Sequence, residues 1–258
     1  RVRVRIMATS LLCAEISRSR VYPMIAPNLL LLSSSRANNS GYLENSREWI
    51  AEHVGDHELL FIPFAGVTLD WDDYLQRVRE ALNPVGLRVT GIHQASNAQQ
   101  AVRDAQAIAV GGGNTFHLLK TLYDWQLLEL IRERVLAGVP YVGWSAGSNI
   151  AAPTICTTND MPIVQPASFA ALNLLPFQIN PHYSDFVPPN FHGETREQRL
   201  QEFLAANPSK TVIALREGSA LKRHGDTLTL LGSEPALQFR HKKALEPLNG
   251  PDLSVLLR

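Results

Sequence analysis

The chain has 258 residues, with 24 Lys plus Arg against 24 Asp plus Glu, 45% hydrophobic and 19% charged residues. A formal charge of zero gives no polybasic field for nucleic acid or for an anionic membrane, and the apolar share excludes disorder over the bulk of the chain. Two cysteines, Cys13 and Cys156, are too few for a disulfide scaffold, and no run of about 18 apolar residues reads as a transmembrane helix.

Residues 1–26 carry Arg1, Arg3, Arg5, Arg18 and Arg20 against Glu15 alone, so this stretch is +4 and the remainder is −4. Arg-rich, acid-poor composition suits a transit peptide as well as a plain extension. The segment is expected to lie outside the fold, with residues 27–258 as one domain. From Leu29 onward, short apolar runs bounded by Gly, Pro, Ser or Asn read as strands buried on both faces: 29–32, 59–64, 87–92, 107–110 and 141–142. Between them lie helical patterns over 70–82, 97–105 and 116–137, the last breaking near Asp124 and stopping at Gly138. This alternation predicts a single-domain, doubly wound α/β sheet of mostly parallel strands. Seven prolines make 151–190 mostly ordered loop; a helix follows over 195–206 and a strand over 211–215. The runs 227–231 and 236–239, separated by Gly232 and Ser233, suggest a short antiparallel C-terminal part.

Two loops stand out chemically. Gly143-Trp144-Ser145-Ala146-Gly147 matches the G-x-S-x-G nucleophile elbow, in which a strand turns sharply into a helix with the serine at the apex. Gly111-Gly112-Gly113-Asn114, at the end of the 107–110 run, leaves backbone N–H groups beside a helix start and suits an oxyanion or another anion. Without a Walker lysine or G-x-G-x-x-G spacing, it does not read as a nucleotide site. The N–H groups of Gly113 and Ala146 are the candidate oxyanion donors. Of eight histidines, His53, His57, His224 and His241 read as solvated surface; His182, at the end of an apolar run, is the candidate base, with His117 its rival. Asp160, in a polar loop after the elbow, and Glu217, just past the 211–215 run, both stand where the orienting carboxylate could sit, and the strand-end placement favours Glu217 modestly. Arg196 lies in a charged helix start, Glu194 to Arg199, which by itself reads as a solvated face.

Taken together, 61–66 (FIPFAG), 111–115 (GGGNT), 143–147 (GWSAG), 158–162 (TNDMP), 179–182 (INPH) and 193–199 (GETREQR) strongly resemble the peptidase E family of α-aspartyl dipeptidases, from about Asn28 to Phe239. The resemblance implies a flavodoxin-like or class-I-glutamine-amidotransferase-like fold and a serine peptidase that cleaves dipeptides bearing an N-terminal aspartate. It implies Ser145 as nucleophile, His182 as base, and Arg196 as the cation for the substrate aspartate, with Asn114 and Asn159 as further substrate contacts. Asp160 and Glu217 both have counterparts there, so the acid stays open. The departures are the segment before Asn28 and Ser148 in place of a frequent alanine. A cyanophycinase-like peptidase, another α/β serine hydrolase and a non-enzymatic anion-binding module are the competing readings. The expected partners are small peptides, with no nucleic acid and no membrane, and the expected state is a monomer or small homo-oligomer. The mechanism calls for no metal or organic cofactor. The expected location is the cytoplasm, or the mitochondrion if residues 1–26 are a transit peptide.

Overall fold

Along the first strand, β1 (Asn28–Leu32), the leucines alternate between two cores: Leu29 and Leu31 face one, Leu30 and Leu32 the other, none more than 1% exposed. That period of two with both faces apolar is what a parallel sheet covered by helices on each side requires. The computed structural model describes residues 27–258, and the expected extension at 1–26 lies outside the described residues.

Next come α1 (Arg47–Val54), β2 (Leu59–Ile62), α2 (Trp71–Leu82), β3 (Val89–Gly91), α3 (Ala98–Asp104), β4 (Ala107–Val110), α4 (Thr115–Asp124), α5 (Leu128–Leu136), β5 (Tyr141–Trp144) and α6 (Ala146–Asn149). The second half adds β6 (Gln178–Asn180), α7 (Arg196–Ala206), β7 (Thr211–Ala214), β8 (Ala220–His224), β9 (Thr227–Leu231), β10 (Ala236–Arg240) and β11 (Glu246–Leu248). Asp70 and Asn97 cap α2 and α3 by accepting from Asp72 N and Gln100 N at 2.8 and 3.0 Å. The expected break after Asp124 falls at Gln126, whose φ of 56° ends α4. A seven-stranded sheet runs β3-β2-β4-β5-β1-β8-β9, parallel through its first five strands and antiparallel in its last two. A second, four-stranded sheet runs β11-β10-β7-β6, with α7 packed against it through Leu200 and Leu204. No helix among the described residues is long and apolar enough to cross a membrane.

Two expectations need correction. The 227–231 and 236–239 runs do not pair with each other: the first joins the large sheet through β8, the second the small sheet through β7. Gly232, at φ 100°, sends the chain across Gly218, whose carbonyl oxygen lies 2.5 Å from where a Cβ would stand. The hairpin partner of β9 is β8, joined to it at Gly225-Asp226 and masked in sequence by Lys222, Arg223 and His224. His53 is not surface: it is 7% exposed, and its Nε2 lies 3.2 Å from the Tyr141 carbonyl. Burial, reinforced by the Lys222 charge, pulls its pKa down to about 4. An unfolded imidazole binds its proton near pH 6.5, so the stability that neutral His53 provides is complete above that value and drains away as pH falls toward 4. About 3 kcal/mol should be lost over this window. Urea unfolding at pH 7 and pH 4.5 checks it: His53→Gln should flatten the fall, and an unchanged fall would refute the assignment.

Candidate active site

The loops leaving the carboxyl ends of β1, β4, β5, β6 and β7 meet at one place. Gly143 and Gly147 permit the elbow: a Cβ at Gly143 would stand 2.5 Å from the Gly147 oxygen, and one at Gly147 only 2.1 Å from the Val110 oxygen. Between them Ser145 is held at φ 53°, a left-handed conformation costly for a side-chain-bearing residue, which turns its hydroxyl out of the sheet. The elbow is tied down on three sides. Ser145 N donates to Leu32 O at 3.2 Å, the Tyr141 hydroxyl donates to Gly147 O at 2.6 Å, and the Ser148 hydroxyl lies 2.6 Å from Leu32 O and 2.9 Å from Gly143 O. Ser148 thus fastens β1 to β5.

The glycine loop runs directly beside the serine, since a Cβ on Gly112 would stand 2.9 Å from that of Ser145. Gly113 has φ 137° and crosses Ala65 so closely that a Cβ would lie 2.2 Å from its carbonyl oxygen. Asn114 caps α4 by accepting from His117 N at 3.0 Å, and its amide donates to Met161 O at 2.9 Å. His117, the rival base, has Nδ1 2.6 Å from the Phe64 carbonyl and is thereby occupied in the α4 start.

His182 leaves β6 at φ 53°, with its N–H donating to Ser33 Oγ at 2.9 Å. The Ser33 hydroxyl in turn donates to Leu215 O at 2.8 Å, so one fully buried serine at the end of β1 holds the β6 and β7 loops together. Sequence reasoning passed over Ser33; its only signal was its place directly after the Leu29–Leu32 strand. The β7 loop delivers Glu217, whose Oε1 lies 2.7 Å from His182 Nδ1. A carboxylate only accepts, so Nδ1 carries the hydrogen, and in the neutral imidazole Nε2 keeps its lone pair. With Glu217 54% and His182 37% exposed at the side chain, the pair contributes orientation more than stability. Ser145 and His182 line the same two cavities, with no hydrogen bond between hydroxyl and imidazole; such bonds are often long in unliganded sites and tighten with substrate.

Asp160 shares a cavity with His182 but makes no hydrogen bond to it. Its Oδ2 accepts from Thr115 N at 2.7 Å, Thr115 Oγ1 at 2.6 Å and Thr158 Oγ1 at 3.1 Å, at the N-terminus of α4. Asn159 spans the same loop, donating to Pro181 O and accepting from Asn180 Nδ2, both at 2.8 Å. Arg196 opens α7, its place fixed by a capping box of Thr195 and Gln198. It is half-buried, and its Nη1 is sealed from solvent with no hydrogen-bond partner among the described residues. Burial and then the nearby Arg199 push its guanidinium down from its usual range, against the pull of Asp160. Arg196, Asp160, Asn159, Ser145 and His182 line one cavity of about 220 Å³. A second cavity that Ser145 and His182 also line, of about 540 Å³, is bounded by Tyr42, Tyr74, Trp144 and Ile163.

The model of Peptidase family S51 matches residues 29–231. A peptidase E of Shewanella amazonensis (strain ATCC BAA-1098 / SB2B) is 53% identical over 232 residues, covering 88% of this chain and 98% of that protein. A solved structure from Listeria monocytogenes EGD-e has a TM-score of 0.61 and 26% identity, covering 80% of this chain and 98% of its own. A peptidase from an acI-B1 Actinobacterium has a TM-score of 0.63 at 18% identity, covering 87% and 98%, and shares the fold. The matched span contains the elbow, the glycine loop, His182, Arg196 and Glu217, and on these grounds the chain belongs to peptidase family S51 and is a serine-type peptidase.

Proposed function

We propose that the chain hydrolyses dipeptides that begin with aspartate, through an acyl-enzyme on Ser145, with His182 as base and Glu217 as its orienting acid. One observation carries the substrate reading: the Arg196 guanidinium has a nitrogen sealed from solvent without an acceptor among the described residues, in the same small cavity as Ser145. A guanidinium in that state is short of a carboxylate, and the side chain of an N-terminal aspartate supplies one bidentately. The described body of the chain is net acidic, so its overall field does not attract an acidic substrate and the local cation must select it.

In this mechanism His182 Nε2 takes the Ser145 proton as Oγ attacks the scissile carbonyl, while Glu217 stabilises the imidazolium. The N–H groups of Gly113 and Ala146 hold the developing oxyanion. Collapse of the tetrahedral species expels the second residue, protonated by His182, into the larger cavity. Water, activated by the same imidazole, then releases aspartate and restores the serine. Asn114 and Asn159 act here through the loops that they hold, since their amide groups are already engaged.

The substrate reading is tested with Arg196→Gln. Losing a charge-assisted contact of this kind should cut kcat/KM for Asp-Leu roughly 10- to 100-fold, with any slow turnover of Asn-Leu left unchanged. Equal loss on both substrates, or wild-type enzyme that cleaves Leu-Leu as fast as Asp-Leu, would overturn it. A preference for β-linked Asp-Leu would favour a cyanophycinase-like specificity instead.

A further inference from the structure

We infer that Tyr74 is a positioning residue for the oxyanion site: its hydroxyl fixes the orientation of the peptide group between Gly112 and Gly113. The inference rests on the reading of Gly113 N–H as an oxyanion donor. Tyr74 lies on α2, 5% exposed, and its hydroxyl is 2.9 Å from the Gly112 carbonyl oxygen, 3.2 Å from Trp144 Nε1 and 3.2 Å from the Tyr42 hydroxyl.

The proton positions in this cluster follow from valence. A carbonyl only accepts, so the one phenolic hydrogen of Tyr74 goes to Gly112. An indole N–H only donates, so Trp144 gives its hydrogen to Tyr74. With its own hydrogen committed, Tyr74 must also accept from Tyr42. Its hydroxyl is then saturated, donating once and accepting twice, and has no second orientation available. Burial pushes both phenols up from their ordinary pKa, so the cluster keeps its protons across the neutral range. Ring packing holds it in place: Tyr74 stands edge-on to Phe61 at 5.0 Å between centroids, and Phe61 stacks on Trp144 at 5.6 Å.

The consequence for the site lies in peptide geometry. The C=O of Gly112 and the N–H of Gly113 belong to one planar group and point in opposite directions. Whatever pins that carbonyl therefore aims that N–H. The flanking glycines, free to rotate by themselves, need such a pin. The three glycines also divide the labour: a Cβ on Gly111 would stand 2.6 Å from the Tyr74 hydroxyl oxygen, one on Gly112 would crowd Ser145, and one on Gly113 would strike Ala65. Gly111 is thus the room that Tyr74 needs to reach the next carbonyl.

Tyr74→Phe, assayed well below its melting temperature, tests the inference. Because a mis-aimed donor forfeits part of what a deleted one does, kcat on Asp-Leu should fall roughly 10- to 100-fold with KM within about twofold. Affinity for the aldehyde analogue of aspartate, which forms a hemiacetal on Ser145 and presents an oxyanion, should fall by the same factor. Affinity for aspartate itself should not change. Unchanged kcat, or equal loss of aldehyde and aspartate binding, overturns the role. If Tyr74→Phe does not fold, Tyr42→Phe decides by the same ratio: it removes one bond into the cluster and should weaken aldehyde binding about threefold while sparing aspartate. Equal effects on both ligands overturn the role there too. Wild-type enzyme that forms no Ser145 adduct overturns the oxyanion reading and this inference together; an adduct in the wild type with normal Tyr74→Phe overturns only the inference.

Discussion

Replacing Ser145 by alanine is expected to lower kcat on Asp-Leu by about 10⁴- to 10⁶-fold, because the acyl-enzyme cannot form and only binding and the oxyanion donors remain. The change should leave the fold intact. The Ser145 hydroxyl makes no hydrogen bond among the described residues, and its backbone bonds to Leu32, Ser148 and Asn149 do not depend on the side chain. Alanine bears the φ of 53° at much the same cost as serine. Stability should therefore move by less than about 1 kcal/mol, and Asp-Leu should still bind. Steady-state hydrolysis, calorimetric titration with Asp-Leu and a thermal melt check the three parts. Hydrolysis surviving within tenfold of wild type would reject Ser145 as nucleophile. Ser148 is no substitute, since its hydroxyl is committed to Leu32 and Gly143.

The second large effect separates the two acids. Glu217→Ala should cost about 10²- to 10⁴-fold in kcat, since the imidazole loses the partner that keeps hydrogen on Nδ1 and supports its charged form. The melting temperature should hardly move, because the His182–Glu217 pair is half exposed. Asp160→Ala should show the reverse balance. It strips Thr115 N and Thr115 Oγ1 of their acceptor at the start of α4 and should cost about 1–2 kcal/mol of stability. Its effect on kcat should be smaller than that of Glu217→Ala and should fall partly on KM, since Asp160 lines the cavity of Arg196. If instead Asp160→Ala abolished turnover and Glu217→Ala left it intact, the orienting role would have to move to Asp160.

The element types were legible because the parallel strands are buried on both faces and the helices carry their own caps. Leu29–Leu32 and Ala107–Val110 are apolar without interruption, and Asp70, Asn97 and Thr195 each announce a helix by a side chain that accepts from the next turn. The elbow was legible for a largely local reason too, since its residue pattern lies within one strand-turn-helix unit: Gly143 answers a clash inside that unit, although Gly147 answers one with Val110 of the neighbouring β4. His53 was misread because its burial comes from packing, and Tyr141, whose carbonyl it meets, is 88 residues away. β8 escaped notice because an antiparallel strand near the sheet edge tolerates Lys222 and Arg223 on partly exposed positions.

The sequence by itself determined the fold class, the family resemblance, the elbow serine and a short list of partners for it, because each depends on residue type over a few neighbouring positions. Choosing within that list was beyond it. For the acid, the place of Glu217 just past a strand favoured it only modestly over Asp160, and only the tertiary structure brings β6 and β7 side by side so that Glu217 reaches His182 while Asp160 holds the start of α4. Arg196 likewise looks like one more charge on a solvated helix face until folding buries one of its nitrogens beside Ser145. The physical reason is common to all three: a hydrogen bond or a desolvated charge is decided by angstrom distances between residues remote in the chain. Tyr74, 38 residues from the glycine that it holds, is the same case once more.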